Sequence, residues 1–374
     1  MVAIERGDFL PMFSTGSSHG PGFDYGSLGG LNHLLVFLGS ARTDLGAQLV
    51  DTLVAMEPML RRHNIFCFVV AADPRDRDDG RLQPLIDRYV VFWDFDRDIH
   101  RRLGMLGPRP ADGGPEPTAL AGLMVRRNLR VDGVEAAAPL DSFPDRIERM
   151  IAALPDDPAP AAVGFQAPVL IIPDVFDRPF CRRLIDLYEA EGGVASGFMR
   201  DDNGVTKSFD DPKVKRRQDC WIKDPALKAR IQRQIQARVL PEIEKAFCFK
   251  ASRIERYVVG CYDAQDRGFF RMHRDNTQLG TAHRRFAVTM NLNAEDYDGG
   301  ELWFPEYGPL TYKAPTGSAV VFSCSLLHEV KPVTAGRRYA FLPFLYDDEA
   351  AEIRNRNRAH VDQAPANQAP MPVS

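Results

Sequence analysis

The chain has 374 residues, 44% of them hydrophobic and 26% charged, with a formal net charge of -4 at pH 7. That length most often makes two domains, and the balance is that of an ordinary globular protein. The charge, with no Lys/Arg stripe interleaved with aromatics, argues against nucleic acid or an anionic membrane as partner. No apolar run reaches the ~18 residues that cross a bilayer. The cysteines (Cys67, Cys181, Cys220, Cys248, Cys261 and Cys324) form no Cys-x-x-Cys pair and no zinc-like cluster with His. They read as reduced thiols. The first residues, Met1 to Asp8, lack the basic and then apolar regions of a signal peptide, so the expected compartment is cytoplasmic.

Along the chain, Leu34 to Leu38 is a short apolar run with glycines nearby, expected as a buried strand. Leu45 to Leu60 has apolar spacings of three and four, as a helix requires. Ile65 to Val70 and Leu120 to Val125 are further buried strands, and Phe143 to Leu154 is a helix. Strands alternating with helices predict an α/β layer with a partly parallel sheet. Pro155 to Ala162 is rich in Pro, Ala and Asp and reads as a linker. Asp177-Arg178-Pro179 caps a helix running to about Glu191, and Asp224-Pro225 starts another, with Leu227, Ile231, Ile235 and Val239 in helical register. From Ser252 the pattern turns to short strands: Arg256 to Tyr262, Phe286 to Leu292, Glu301 to Phe304, Ser318 to Ser323 and Tyr339 to Tyr346. That succession predicts a sandwich or jelly roll preceded by supporting helices. The expected organisation is a domain over 1–155, a linker over 156–167, a second domain over 168–348, and a polar tail over 349–374, disordered at its end.

The second domain carries the chemistry. His273 and Asp275 stand as His-x-Asp, two apart, so they share one face if the segment is extended. His328 follows the strand-like run Gly317 to Ser323. Two imidazoles and a carboxylate cover one face of an octahedral Fe(II) and leave the other open. Each piece alone is commonplace: His-x-Asp occurs by chance, a lone His packs in many cores, and a lone Arg is usually solvated. The joint pattern is specific: His-x-Asp, a Gly-Gly-Glu-Leu strand, a Gly-x-x-x-x-Phe strand, His328, and Arg338 ten residues on.

From about residue 168 to 348 the text resembles the Fe(II)/2-oxoglutarate-dependent dioxygenases of the prolyl 4-hydroxylase type. The resemblance rests on YDAQDRGFFRMHRD (Tyr262 to Asp275), RFAVTMNLN (Arg285 to Asn293), DGGELWFP (Asp298 to Pro305), PTGSAVVF (Pro315 to Phe322) and HEVKPVTAGRRY (His328 to Tyr339). It implies a double-stranded β-helix in which His273, Asp275 and His328 bind Fe(II). It also implies that Arg338 pairs with the far carboxylate of 2-oxoglutarate, Arg337 being the choice if the register slips by one. A tyrosine helps, either Tyr262 or Tyr257. Thr289, Asn291 and Trp303 would lie on strands lining the barrel, against substrate or in its core. The implied reaction couples O2 and 2-oxoglutarate to hydroxylation of an unactivated C–H bond of a peptide, amino acid or small molecule. Succinate and CO2 are released, and L-ascorbate keeps the iron reduced. A halogenase would need a small residue at Asp275. The run Lys213 to Arg217 reads as a surface run, Arg271, Arg274, His283, Arg284 and Arg285 as a cationic rim, and Gly197 to Val214 as a lid.

Residues 7 to about 154 resemble the thioredoxin-fold peroxiredoxins, through Gly7-Asp8-Phe9-Leu10-Pro11-Met12-Phe13, Leu34 to Leu38, Val69 to Pro74 and Asp94-Phe95-Asp96. The family's Thr-Pro-x-Cys turn reads Thr43-Asp44-Leu45-Gly46 here, so Gly46 stands where the reactive thiol belongs. The implication is a redoxin-like domain without the reaction, which binds a substrate, a partner or its own copy as a homodimer. The competing reading is a peroxide-related binding protein in which the oxygenase half is accessory.

Overall fold

A computed structural model describes residues 4–111, 113–114, 116–156, 162 and 164–361, and the backbone of 371–372. The chain divides into two compact units, residues 1–159 and 160–374. Of the expected linker, 157–161 and 163 lie outside the described residues, as do 362–370 and 373–374 of the expected tail. The start of that tail is structured: Asp347 caps a helix over Asp348–Asn357 by accepting from the Ala350 N–H. Among the described residues no helix is long and apolar enough to cross a membrane.

The first unit is built on one sheet with strand order Gly20–Asp24, Ser14–Ser17, Val90–Trp93, Phe66–Ala71, His33–Gly39, Ala121–Val125, Val131–Ala136. The three central strands are parallel, and the last two form an antiparallel hairpin. A helix over Asp44–Arg62 links the first two parallel strands, and a second over Phe143–Ala152 follows the hairpin. This β-α-β unit followed by a β-β-α unit makes the expected thioredoxin-like fold. His33–Gly39 is buried at every position. Leu34, Val36 and Leu38 enter one core and Leu35 and Phe37 the other, which is why its text is continuously apolar. Val90–Trp93 was not anticipated, being only four residues long.

Thr43 caps the Asp44–Arg62 helix, its hydroxyl accepting from the Gly46 N–H at 3.0 Å. A Cβ at Gly46 would lie 2.0 Å from the Ser40 carbonyl oxygen and 2.8 Å from the Thr43 hydroxyl. The turn therefore leaves no room for a side chain at Gly46, the position at which the resemblance implies a thiol. Cys67 offers no replacement, since burial pushes its thiol well up. Gly46→Cys should destabilise the first unit by about 2 kcal/mol or more through that clash, read as a lowered melting temperature, and should gain no peroxide turnover. An unchanged melting temperature with peroxidase activity would contradict this account.

The second unit is a jelly roll with helices packed outside it. One sheet contains Arg253–Glu255, Phe344–Tyr346, Phe286–Asn291, Val333–Phe341, Val258–Asp263 and Gln218–Trp221, with Ala319–Ser323 paired to Phe286–Asn291. The facing sheet runs Lys215–Arg216, Phe269–His273, His328–Val330, Leu302–Trp303, Thr311–Tyr312. Side chains alternate across the first sheet. Phe286, Val288, Met290, Tyr339 and Phe341 pack on Phe180, Leu184, Leu227, Ile231 and Ile235 from the helices Arg178–Glu191 and Pro225–Arg238. Tyr262, Ala287, Val320 and Phe322 point the other way, toward Leu302, Phe304 and Val330. The strand expected over Tyr339 to Tyr346 is two strands, broken at Leu342-Pro343. The expected lid is a hairpin of Phe198–Asp202 with Val205–Phe209.

Candidate metal centre

His273 ends its strand and His328 begins its own, and antiparallel pairing sets the two residues directly opposite. Asp275 follows two residues later, where its N–H donates to the Cys324 carbonyl at 3.0 Å. His273 Nε2 then lies 3.5 Å from Asp275 Oδ1, and His328 Nε2 lies 3.4 Å from Oδ2. One ligand atom from each of the three falls within 4.8 Å of the others. Each imidazole donates its Nδ1–H to a main-chain carbonyl, His273 to Arg271 at 2.7 Å and His328 to Leu326 at 3.0 Å. A carbonyl only accepts, so Nε2 keeps the lone pair that a metal takes. Burial works to raise the Asp275 carboxyl, but His328 and His273 outweigh it and hold it below the usual carboxylate range. Burial, aided by His273, pushes His328 down to about 4. At neutral pH Asp275 is therefore ionised and His328 neutral, the protonation a divalent metal needs of each.

Two cavities meet at this cluster. The inner one is lined by Arg338, Tyr262, Thr289, Phe322 and Val330 together with His273, Asp275 and His328. Arg338 pairs with Tyr262 across neighbouring strands, and its guanidinium lies 5.0 Å from that ring's centroid. It is 2% exposed, and its Nε and Nη1 have no hydrogen-bond partner among the described residues. A buried cation with idle donors is costly, and a carboxylate of matching planar geometry would satisfy it. The chemistry of the donor set thus fits an iron, and the two idle guanidinium nitrogens fit a carboxylate of 2-oxoglutarate. Gly300, with φ 69°, lets Arg338 pass, since a Cβ there would meet Arg338 Cδ at 3.0 Å and Val333 Cγ2 at 2.9 Å. Arg337 turns outward to Glu189 at 3.0 Å. Tyr257 sits in the helix-side core, leaving Tyr262 as the tyrosine on the cavity.

Two expected lining residues fall elsewhere. Asn291 faces inward, but its amide donates to the Ala314 carbonyl at 2.6 Å and it borders neither cavity. The Trp303 indole N–H donates to Gly308 O at 2.8 Å, and Lys331 lies 3.5 Å from the centroid of its ring. Both secure connecting segments. Thr289 does line the inner cavity.

The outer cavity, about 820 Å³, is bounded by Phe198, Met199 and Arg200 of the hairpin, by Trp221 and Met272, and by His273 and Asp275. The supposed surface run corrects here: Lys215 and Arg217 are buried, bound to Ser196 and Asp219. Their signal was the alternation of Lys215, Arg217 and Asp219 along extended chain, which here passes from the strand Lys215–Arg216 into Gln218–Trp221. His283 is likewise no rim residue. It is buried against Glu255 at 2.9 Å.

Residues 257–346 match the family model of the 2OG-Fe(II) oxygenase superfamily. They form a 2OG-Fe(II) oxygenase domain. The domain and its flanks are similar to a PKHD-type hydroxylase of Synechococcus sp. (strain JA-2-3B'a(2-13)), 35% identical over 119 residues, which are 29% of this chain and 52% of that protein. A PKHD-type hydroxylase of Shewanella sp. (strain MR-7) is 28% identical over 203 residues, 52% of this chain and 84% of that protein. The chain spans about half the length of the Synechococcus relative. A solved peroxidoxin of Mycobacterium tuberculosis aligns with 41% of this chain and 99% of its own at 14% identity and a TM-score of 0.36.

Replacing Asp275 by Ala should weaken Mn(II) or Fe(II) binding by about 100-fold or more, measured by anaerobic calorimetry. Undiminished affinity would mean that the metal is held elsewhere.

Proposed function

We propose that the chain is an Fe(II)- and 2-oxoglutarate-dependent dioxygenase that hydroxylates an unactivated C–H bond of a peptidyl, amino-acid or small-molecule substrate, releasing succinate and CO2. One observation carries this reading: the His273, Asp275 and His328 ligand atoms share a cavity with a buried guanidinium that has idle donors. The two relatives named above are both called hydroxylases, in keeping with it.

His273, Asp275 and His328 would hold the iron, and Arg338 the far carboxylate of 2-oxoglutarate, with Tyr262 alongside. Bound Fe(II) with its co-substrate supplies the activation of O2. The chain's own part is to orient and shield. The Arg338 fork fixes the co-substrate lengthwise. Leu302, Phe322, Val330 and Phe344 make the walls around it apolar and exclude water. Asp275 keeps a carboxylate among the ligands, which disfavours halide transfer. Ascorbate would keep the iron reduced, and the unbridged cysteines suit a reducing cytoplasm. The first unit, closed at Gly46, serves as a non-catalytic module. That closure also weighs against the peroxide-handling alternative.

Succinate formation from 2-oxoglutarate, with Fe(II), ascorbate and air, tests the reading. Wild type should turn over slowly and faster with its substrate, and Asp275→Ala not at all. Arg338→Ala should need about tenfold or more 2-oxoglutarate to approach the wild-type rate, the loss of a charge-assisted bidentate contact. No succinate from wild type, together with no metal binding, would refute it.

A further inference from the structure

The outer cavity gathers more basic side chains than it has carboxylates to pair with them. Arg217 and Arg256 share a single carboxylate, Asp219, and Lys215 stands nearby without one. Arg217 takes Asp219 with two bonds, Nε to Oδ1 at 2.6 Å and Nη2 to Oδ2 at 2.8 Å, and Arg256 Nη2 reaches Oδ2 at 3.2 Å. Lys215 Nζ meets neutral acceptors, Ser196 Oγ and Gly197 O, each at 2.8 Å, and lies 4.7 Å from the Phe270 ring centroid. Lys215 is 5% exposed, Arg217 9% and Asp219 4%. Among the described residues no carboxylate lies within ion-pair distance of Lys215.

Lys215 borders the outer cavity beside His273 and Asp275, Arg217 faces the inner one, and Arg256 lies on the wall between them and borders both. The other carboxylate on the outer wall, Asp275, belongs to the metal cluster. Arg284 is engaged by Glu255 and Arg274 by Glu306. Arg256 also holds a left-handed backbone, φ 69°, which is unusual for a long side chain. That conformation sets its guanidinium 5.9 Å from the Trp221 ring centroid and 5.5 Å from that of Phe344. Burial, then Arg217, lowers the proton affinity of Lys215 well below that of an ordinary lysine and that of Arg256 to about 10, so an anion beside them would favour their charged forms. A buried site with surplus positive charge and strain is relieved by an incoming anion.

We propose that Lys215 and Arg256 form a subsite for an oxyanion, a carboxylate or a phosphate, carried by the substrate and held beside the metal centre. The inference rests on the oxygenase reading only in calling the ligand a substrate. The co-substrate's far carboxylate has its own partner, Arg338, in the inner cavity.

Trp221 lines the outer cavity, whereas Trp303 borders neither cavity and Trp93 belongs to the first unit. Tryptophan fluorescence of the full chain therefore reports the subsite. The probes are N-acetylglutamate amide, N-acetyl-O-phosphoserine amide and the neutral N-acetylglutamine amide. Each is titrated into metal-free protein, and again with Mn(II) and saturating 2-oxoglutarate. At least one anionic probe should bind about tenfold or more tighter than the neutral one, less so at high salt. The preference should be lost in Lys215→Met and Arg256→Leu and kept in Lys215→Arg. The two anionic arms tell carboxylate from phosphate. Equal binding of charged and neutral probes, no binding of either anion, or a preference that survives both neutralising variants would overturn the proposal. If Lys215→Met does not fold, Arg256→Leu and the wild-type comparison still decide. Loss of Mn(II) or 2-oxoglutarate binding, with anion preference intact in metal-free protein, would count against the oxygenase reading alone.

Discussion

The antiparallel pairing of Phe269–His273 with His328–Val330 is the constraint on which the second unit's chemistry depends. It sets two imidazoles opposite each other at the open end of a sheet, and the main chain then turns Asp275 in between them. A slip of one residue would send one imidazole to the opposite face and leave the carboxylate with a single partner. The same alternation, on the facing sheet, sends Tyr262 and Arg338 inward while Tyr339 and Phe341 seal against helices. Site and core are thus two faces of the same strands. A change that disturbs the helix-side packing would be felt at the inner cavity.

Buried charge is the second organising feature. Arg338 and the group formed by Lys215, Arg217 and Asp219, with the half-buried Arg256 beside it, are withdrawn from water at a cost that apolar residues of similar size would not incur. Such groups are held in place by the surrounding sandwich, and each borders a cavity leading to the metal cluster. The inner cavity offers the idle Nε and Nη1 of Arg338 among largely apolar walls, with Arg217 already committed to Asp219. The outer one offers a cationic wall under a hairpin. The two differ in size and in charge, which suits a small fixed co-substrate in one and a larger anionic ligand in the other.

The first unit shows the converse. It keeps the layered sheet, the capped helix and two apolar cores of a thioredoxin-like fold. At Gly46 the Ser40 carbonyl occupies the volume that any side chain would need. Fold and reactivity are separable here because the sheet's stability comes from its buried strands, while a reactive residue depends on a few ångströms at one helix start.

Much of this was legible in the amino-acid sequence. Continuous apolar runs such as Leu34 to Leu38 mark strands buried on both faces, and Asp177 and Asp224 mark helix starts, because these signals are local. His273, Asp275, His328 and Arg338 were legible as a spaced set, since a metal face and a carboxylate clamp demand particular residue types. Tertiary structure alone decided the rest. It separated Tyr262 from Tyr257, since only the packing of sheet on helix shows which ring faces the cavity. It gave Asn291 and Trp303 to local hydrogen bonds rather than to a ligand. It also turned Lys215 and Arg217 from apparent surface charges into a buried wall. The charge of a side chain is written in the sequence, but its solvent is chosen by the strands that fold over it.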